Sequence, residues 1–173
     1  MSSEKIELGI CTPTLDPDGT PTVLDETEGG CTVNYSAEMF EVRSEQKAGA
    51  LIDIFVHSPT GGVDIPMAET DFVKLEKLFP GAVATGTTAL GLGEDLPKRL
   101  SANAVKFLLH PVHKAAGDTS GDVYIPKCVF TAEMSQSRTN DGKYIYNVKA
   151  HPLFDDTQPA GKKLMVLGNR AAG

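Results

Sequence analysis

Tryptophan is missing from this chain of 173 residues, aromatic side chains make up 6% of it, and its three cysteines, Cys11, Cys31 and Cys128, stand far apart. Single-stranded nucleic acids and sugars are commonly gripped on aromatic faces, so this scarcity speaks against a stacking platform. An odd number of cysteines without Cys-x-x-Cys spacing supplies neither a disulfide framework nor a structural zinc site. Each is read as a small buried or half-buried thiol, and Cys31 and Cys128 fall inside strand patterns, where cysteine behaves as a compact hydrophobe. Long apolar runs are also wanting. The stretch Ala48 to Val56 is too short and too interrupted for a membrane span, and Met1-Ser2-Ser3-Glu4-Lys5 lacks the apolar core of a signal peptide. The expectation is a soluble protein made in the cytoplasm, with no membrane partner. Cations are outnumbered, with 16 Lys and Arg against 23 Asp and Glu, a net charge of -7 and a pI near 5.0. Affinity for nucleic acid comes from neutralising phosphates with Lys and Arg, so this balance opposes ordinary nucleic-acid binding.

Side-chain sets that could carry catalysis are weak. His110 and His113 form His-x-x-His, but the pair flanks Pro111 and leads into a polar loop, without the helix that would turn two imidazoles onto one metal. His57 and His151 sit at strand edges beside Ser58-Pro59 and Pro152 and read as surface residues. Cys128 lies mid-strand with Val129 and Phe130, a position that packing explains better than nucleophilic catalysis. Gly29-Gly30, Gly61-Gly62 and Gly91-Leu92-Gly93 precede no helix start and no Lys-Ser/Thr, so they read as turn glycines and not phosphate cradles. Asp16, Asp18, Asp25, Glu26 and Glu28 lack the spacing of a calcium loop. No catalytic, cofactor-binding or metal-binding residue is assigned, and the chain is not read as an enzyme.

What the chain does carry is period-two alternation. Its length suits one domain spanning residues 1–173, and the Pro/Gly/Asp-rich stretches at 15–21, 86–97 and 114–121 are short enough to be loops. Cys31, Val33 and Tyr35 alternate with Thr32, Asn34 and Ser36, and Val63, Ile65 and Met67 repeat the pattern. Between them Arg43 to Ala50 is polar and contains Gly49, which reads as a long exposed hairpin loop. Thr70 or Asp71 can then cap a helix over 71–79 whose apolar stripe is Phe72, Leu75, Leu78 and Phe79, stopped by Pro80-Gly81. Further strands are expected from Val105 to Leu109, Cys128 to Met134 and Tyr144 to Ala150, with Asp141-Gly142 as a turn pair. Leu164-Met165-Val166-Leu167 suggests a last strand buried on both faces. Ile6 to Ile10 and Thr22 to Leu24 are weaker strand candidates. The fold class expected is mainly β, an antiparallel barrel or sandwich of about six to eight strands with one short α-helix packed at its flank.

The order Glu28-Gly29-Gly30, alternating strand, long loop, Val63-Asp64-Ile65-Pro66-Met67-Ala68-Glu69-Thr70, helix, Phe79-Pro80-Gly81-Ala82 resembles the major tail tube proteins of tailed bacteriophages. Phe107-Leu108-Leu109-His110-Pro111, a polar loop, the strand from Val123 to Met134 and a late strand from Tyr144 to His151 are similar to the second half of such proteins. The resemblance implies a structural virion protein whose subunits form six-membered rings, stacked into a hollow tube through which viral DNA passes without specific binding. It implies partners in further copies of the chain and in other tail proteins: baseplate or tip, terminator, tape measure, and sheath where a tail has one. By position it makes 44–54 the ring-stacking loop, with Ser44, Glu45, Gln46, Lys47, Leu51 and Ile52 as contacts, and 1–14 a candidate N-terminal arm. For a conduit the acidic balance would be useful, since attraction would hold the passing duplex on the wall. The strands Cys31 to Val42 and Val63 to Glu69 contribute Glu38, Glu41, Asp64 and Glu69 against no Lys or Arg, which marks them as lumen-facing candidates. A related injection-machine tube or a head-to-tail joining ring is the alternative, and a small hydrolase using Cys128 or a histidine is the rival from another class.

Overall fold

The computed structural model describes residues 10–24, 27–68, 71–93, 99–135 and 145–170. Ten strands are present among them: β1 (Cys11–Leu15), β2 (Thr22–Val23), β3 (Thr32–Ser44), β4 (Ala50–Met67), β5 (Val83–Thr85), β6 (Ala89–Gly91), β7 (Val105–Pro111), β8 (Val123–Ser135), β9 (Ile145–Pro152) and β10 (Val166–Leu167). The one α-helix among these residues, α1, spans Phe72–Glu76. The fold is thus mainly β, with one short helix. The main sheet runs β2-β1-β7-β8-β9-β4-β3, and every neighbouring pair is antiparallel. The start of β8 carries β10 on the side away from β7, and its later part carries β9.

The sheet is not closed into a barrel, because its outer strands β2 and β3 are not paired with each other. Instead its apolar side folds around a core. Val63, Ile65 and Met67 of β4, Phe107 and Leu109 of β7, Ile125 and Phe130 of β8, and Val148 and Ala150 of β9 are buried in it; in β4, β7 and β9 these are alternate residues, as one dry face requires, whereas β8 is buried at 123–126 and again at 128–130. Phe107 and Phe130 meet edge to face with ring centroids 5.7 Å apart. The helix closes one side. Asp71 caps it by accepting from the Val73 amide at 2.9 Å, Leu75 and Leu78 are fully buried, and Phe79 meets Tyr146 edge to face at 5.8 Å. Gly81, at φ 70, then lets the chain leave in a left-handed turn.

Several expectations need correction. Residues 11–14 are not a free arm: they are the body of β1, laddered to β7 from Cys11↔Pro111 to Leu15↔Phe107, because Leu15 turns into the core beside Phe107. Ile6 to Gly9, Asp25, Glu26, Glu69, Thr70, Asp141-Gly142 and Tyr144 lie outside the described residues. Gly61 and Gly62 are not in a turn but in β4, where backbone crowds both sides. A Cβ at Gly62 would stand 3.3 Å from the Ala150 carbonyl oxygen, and one at Gly61 would stand 3.3 Å from the Asn34 carbonyl oxygen. The segment 86–97 contains a strand, β6, which pairs with β5. The late apolar run does not make a strand buried on both faces: only Val166–Leu167 pairs, and Leu167 is 72% exposed. A short edge strand gains its apolar character from what it packs against, which the run alone does not reveal.

Candidate assembly surface

Strands β3 and β4 form a hairpin far longer than the sheet behind it. Among the described residues only Val63 to Met67 of β4 pairs with a second long strand, β9, so from Gly62 outward β3 and β4 make a ribbon of about 30 Å that pairs with no further described strand. A 3-10 turn at Glu45–Lys47 reverses the chain. Ala48 and Gly49 adopt φ 55 and 75 there, and the Gly49 amide donates to the Ser44 carbonyl at 2.9 Å. The expected loop at 44–54 is therefore a tight turn, and Leu51 and Ile52 belong to β4. The loop reading failed because alternation vanishes where neither face of a strand is buried: polar and apolar residues are then equally tolerated on both. The run Leu51-Ile52-Asp53-Ile54-Phe55-Val56, rich in β-branched and aromatic residues, was the missed signal for a strand.

Two bulges shape the ribbon. β4 carries one extra residue between Ala37/Glu38 and another between Val42/Arg43, at Ser58 and Ile52. Ser58 has φ 51, an uncommon conformation for a residue that precedes proline, and its Oγ lies 2.9 Å from His57 Nδ1. β3 itself alternates without interruption. Its odd residues share the core side of the sheet, since Val33 pairs with buried Val63. Its even residues share the opposite side, where Thr32 pairs with Asp64 and Ser36 Oγ meets Thr60 Oγ1 at 2.8 Å.

The acidic candidates divide between these sides. Glu38 and Asp64 lie on the even, polar side, Glu41 lies on the odd side, and Glu69 is outside the described residues. Each described one has a basic neighbour: Arg43 Nη2 is 2.6 Å from Glu41 Oε2, Lys149 Nζ is 3.7 Å from Asp64 Oδ1, and His57 Nδ1 is 3.8 Å from Glu38 Oε2. Asn34 also donates to Asp64 at 2.7 Å. The count of carboxylates against no cation therefore does not hold across the sheet, because the register Asp64↔Lys149 brings a lysine from β9. Including Asp53, across from Val42, and Glu133 of β8, which pairs with Asn147 beside it, the polar side of β3, β4, β9 and the later part of β8 carries Glu38, Asp53, Asp64 and Glu133 against Lys149. His151 completes this side, with Nε2 2.8 Å from Thr131 Oγ1. Burial, and then the charge of Lys149, hold its pKa below the ordinary 6.5.

Of the sequence-assigned contacts, Ser44, Glu45, Gln46 and Lys47 sit together at the turn, with Leu51 and Ile52 at the first residues of β4. The larger apolar surface was not assigned. Nine of the seventeen large apolar side chains that stand exposed among the described residues lie on this one hairpin, including Tyr35, Met39, Phe40, Phe55 and Val56, each more than half exposed. On the core side the ribbon runs back into an open groove of about 780 Å³, walled by Val33, Tyr35 and Pro59 on one hand and by Phe154, Leu164 and Leu167 on the other.

Cys128 is buried and its thiol is pushed up to about 12 by burial. His110 Nδ1 lies 2.6 Å from Oδ1 of Asp122, a buried carboxylate, a pairing invisible in the His-x-x-His spacing. Among the described residues no group of three or more His, Cys, Asp or Glu could hold a metal ion, and no helix is long and apolar enough to cross a membrane. No protein-family model matches the chain, and no curated protein is significantly similar to it.

Proposed function

We propose that this chain is a structural virion protein, the major tail tube subunit of a bacteriophage, and that its copies form rings stacked into a hollow conduit for viral DNA. One observation carries the reading: a well-packed β body projects a two-stranded ribbon with large apolar side chains exposed on both faces. An isolated hairpin is marginal in water, and exposed apolar surface on this scale marks an interaction site. The order of segments that resembles tail tube proteins puts this ribbon where ring stacking occurs in that family. The polar side of β3, β4, β9 and the later part of β8, acidic by Glu38, Asp53, Asp64 and Glu133 against Lys149, suits a lumen that repels phosphate.

Negative-stain imaging of the concentrated protein tests the reading. Regular hollow cylinders are the expected result, and Leu51→Ser/Ile52→Ser should give a folded subunit that forms none. Isolated rings of fixed height would point to a head-to-tail joining protein. A chain that stays monomeric at every concentration and salt, with or without a tail extract as initiator, would overturn the proposal.

A further inference from the structure

The core side of the sheet continues past the end of the core. Val63, Ile65 and Met67 are buried beneath the helix side of the body, whereas the same side carries Tyr35, Met39, Val56, Ile54 and Leu51 outward, all exposed. Where this strip leaves the body, the segment around Phe154 and Leu164 to Leu167 faces it across the groove. The chain therefore owns two unlike apolar surfaces, a projecting ribbon and a concave groove at its root.

We infer that the groove of one copy receives the ribbon tip of the next, with Leu51 and Ile54 seated against Phe154 and Leu167. The inference rests on the tube reading and names the receptor surface that reading leaves open. Area is one support. On the core side beyond the groove Met39, Leu51, Ile54 and Val56 stand exposed together, on the order of 400 Å² of apolar surface, the size of patch that marks an interaction site. Shape is another. A projecting surface and a concave one complement each other, but neither complements itself, and a contact between different patches repeats from copy to copy into a ring or filament where a symmetric one would stop at two. Charge is compatible but secondary: the groove wall presents Lys163, whose Nζ lies 5.3 Å from the centre of the Phe154 ring and 3.6 Å from Asp156 Oδ1 of the same chain. A second copy thus fits the groove through its apolar lining.

Mixed cross-linking tests it in a Cys11→Ser/Cys31→Ser background, which leaves only the buried Cys128 thiol. Chains carrying Ile54→Cys are mixed with size-tagged chains carrying Leu167→Cys and treated with a short bis-maleimide. The expected product is the mixed dimer, at least tenfold over either like-with-like dimer, and Leu167→Asp should cut sedimentable assembly at least tenfold with an unchanged circular dichroism spectrum. Cylinders that form without the mixed link would overturn the groove assignment while leaving the tube reading standing. Dominant Ile54→Cys self-linking would show a closed ribbon-on-ribbon dimer and overturn it too. Failure of the background chain to assemble under all conditions that assemble the native chain calls for the same mixing with Cys11 and Cys31 retained, read by peptide mapping of the link, so the two surfaces are still compared directly. Failure of the native chain to assemble would remove the tube reading and this inference with it.

Discussion

Lys149 stands directly across from Asp64 in the ladder between β9 and β4, its Nζ 3.7 Å from the carboxylate. That one register position places a cation in the middle of the polar side of the sheet, between carboxylates that the sequence shows only as neighbours along two other strands. Both partners are about half exposed, so the pair contributes little to stability, about 0–1 kcal/mol. Its larger effect is electrostatic, on the charge of the wall and on His151 nearby.

Lys149→Gln should therefore leave the fold intact and raise the pKa of His151 without bringing it to 6.5, because burial, the larger cause of its depression, remains. A folded pKa below the unfolded one means that the unfolded chain takes up the proton first. The stability that neutral His151 provides is present above pH 6.5 and is lost as pH falls through the folded value. Histidine Cε1 chemical shifts followed across pH 4 to 8 would check this, and an unmoved His151 titration in Lys149→Gln would refute the coupling.

A second pH dependence belongs to Asp18. Lys106 Nζ donates to its carboxylate at 2.9 Å, and Arg170, whose guanidinium lies over the Tyr124 ring, approaches the other oxygen to 2.9 Å. The hydrogen bond from Lys106, with the charge of Arg170, holds the Asp18 carboxyl below its ordinary 3.8. Its contribution is present above pH 3.8 and lost as pH falls through the lower folded value. Urea midpoints at pH 5 and pH 3 should differ more for the native chain than for Asp18→Asn. Equal differences would mean that the contact between this turn and the 170 region carries no weight in stability.

The thiol of Cys128 should be nearly inert in the native protein. It is buried and its pKa is pushed up to about 12, which leaves almost no thiolate at neutral pH. Slow labelling by a charged aromatic disulfide in buffer and rapid labelling in denaturant are the expected pair of results. Cys128→Ser should leave assembly unchanged. Rapid native labelling would revive the hydrolase reading.

What the sequence made legible followed from burial. Val63, Ile65 and Met67, or Phe107 and Leu109, announce strands because one side of each is dry, and Leu75, Leu78 and Phe79 announce a helix for the same reason. The ribbon was legible only at its root. Between Glu38 and His57 no side of the chain is buried, so periodicity carries no information and a strand reads as a loop. Pairing between strands distant in sequence was equally hidden: neither Asp64 with Lys149 nor His110 with Asp122 has a local signature, since register is set by how the whole sheet packs. The acidic wall was miscounted for that reason, and the groove, made by the 154–167 segment lying against β3, had no sequence pattern to show it.

Ser58 forms the first bulge of the ribbon beyond its root at Gly62, and its φ of 51 is a conformation that glycine adopts without cost but that a residue with a Cβ resists. The bulge it forms lets β4 keep step with β3 on both sides of the Ala37/Glu38 junction. Proline at position 59 narrows the choices further, since the residue before a proline is steered toward extended conformations. Ser58→Gly should therefore stabilise the protein by up to about 1 kcal/mol, with the loss of the contact between Ser58 Oγ and His57 Nδ1 as the opposing effect. Ser58→Val, β-branched and ill suited to positive φ, should destabilise by about 1–2 kcal/mol. Urea denaturation of the two variants gives the order directly. If Ser58→Val proves as stable as the native chain, the bulge is not held in the left-handed conformation and the ribbon takes a different bend there.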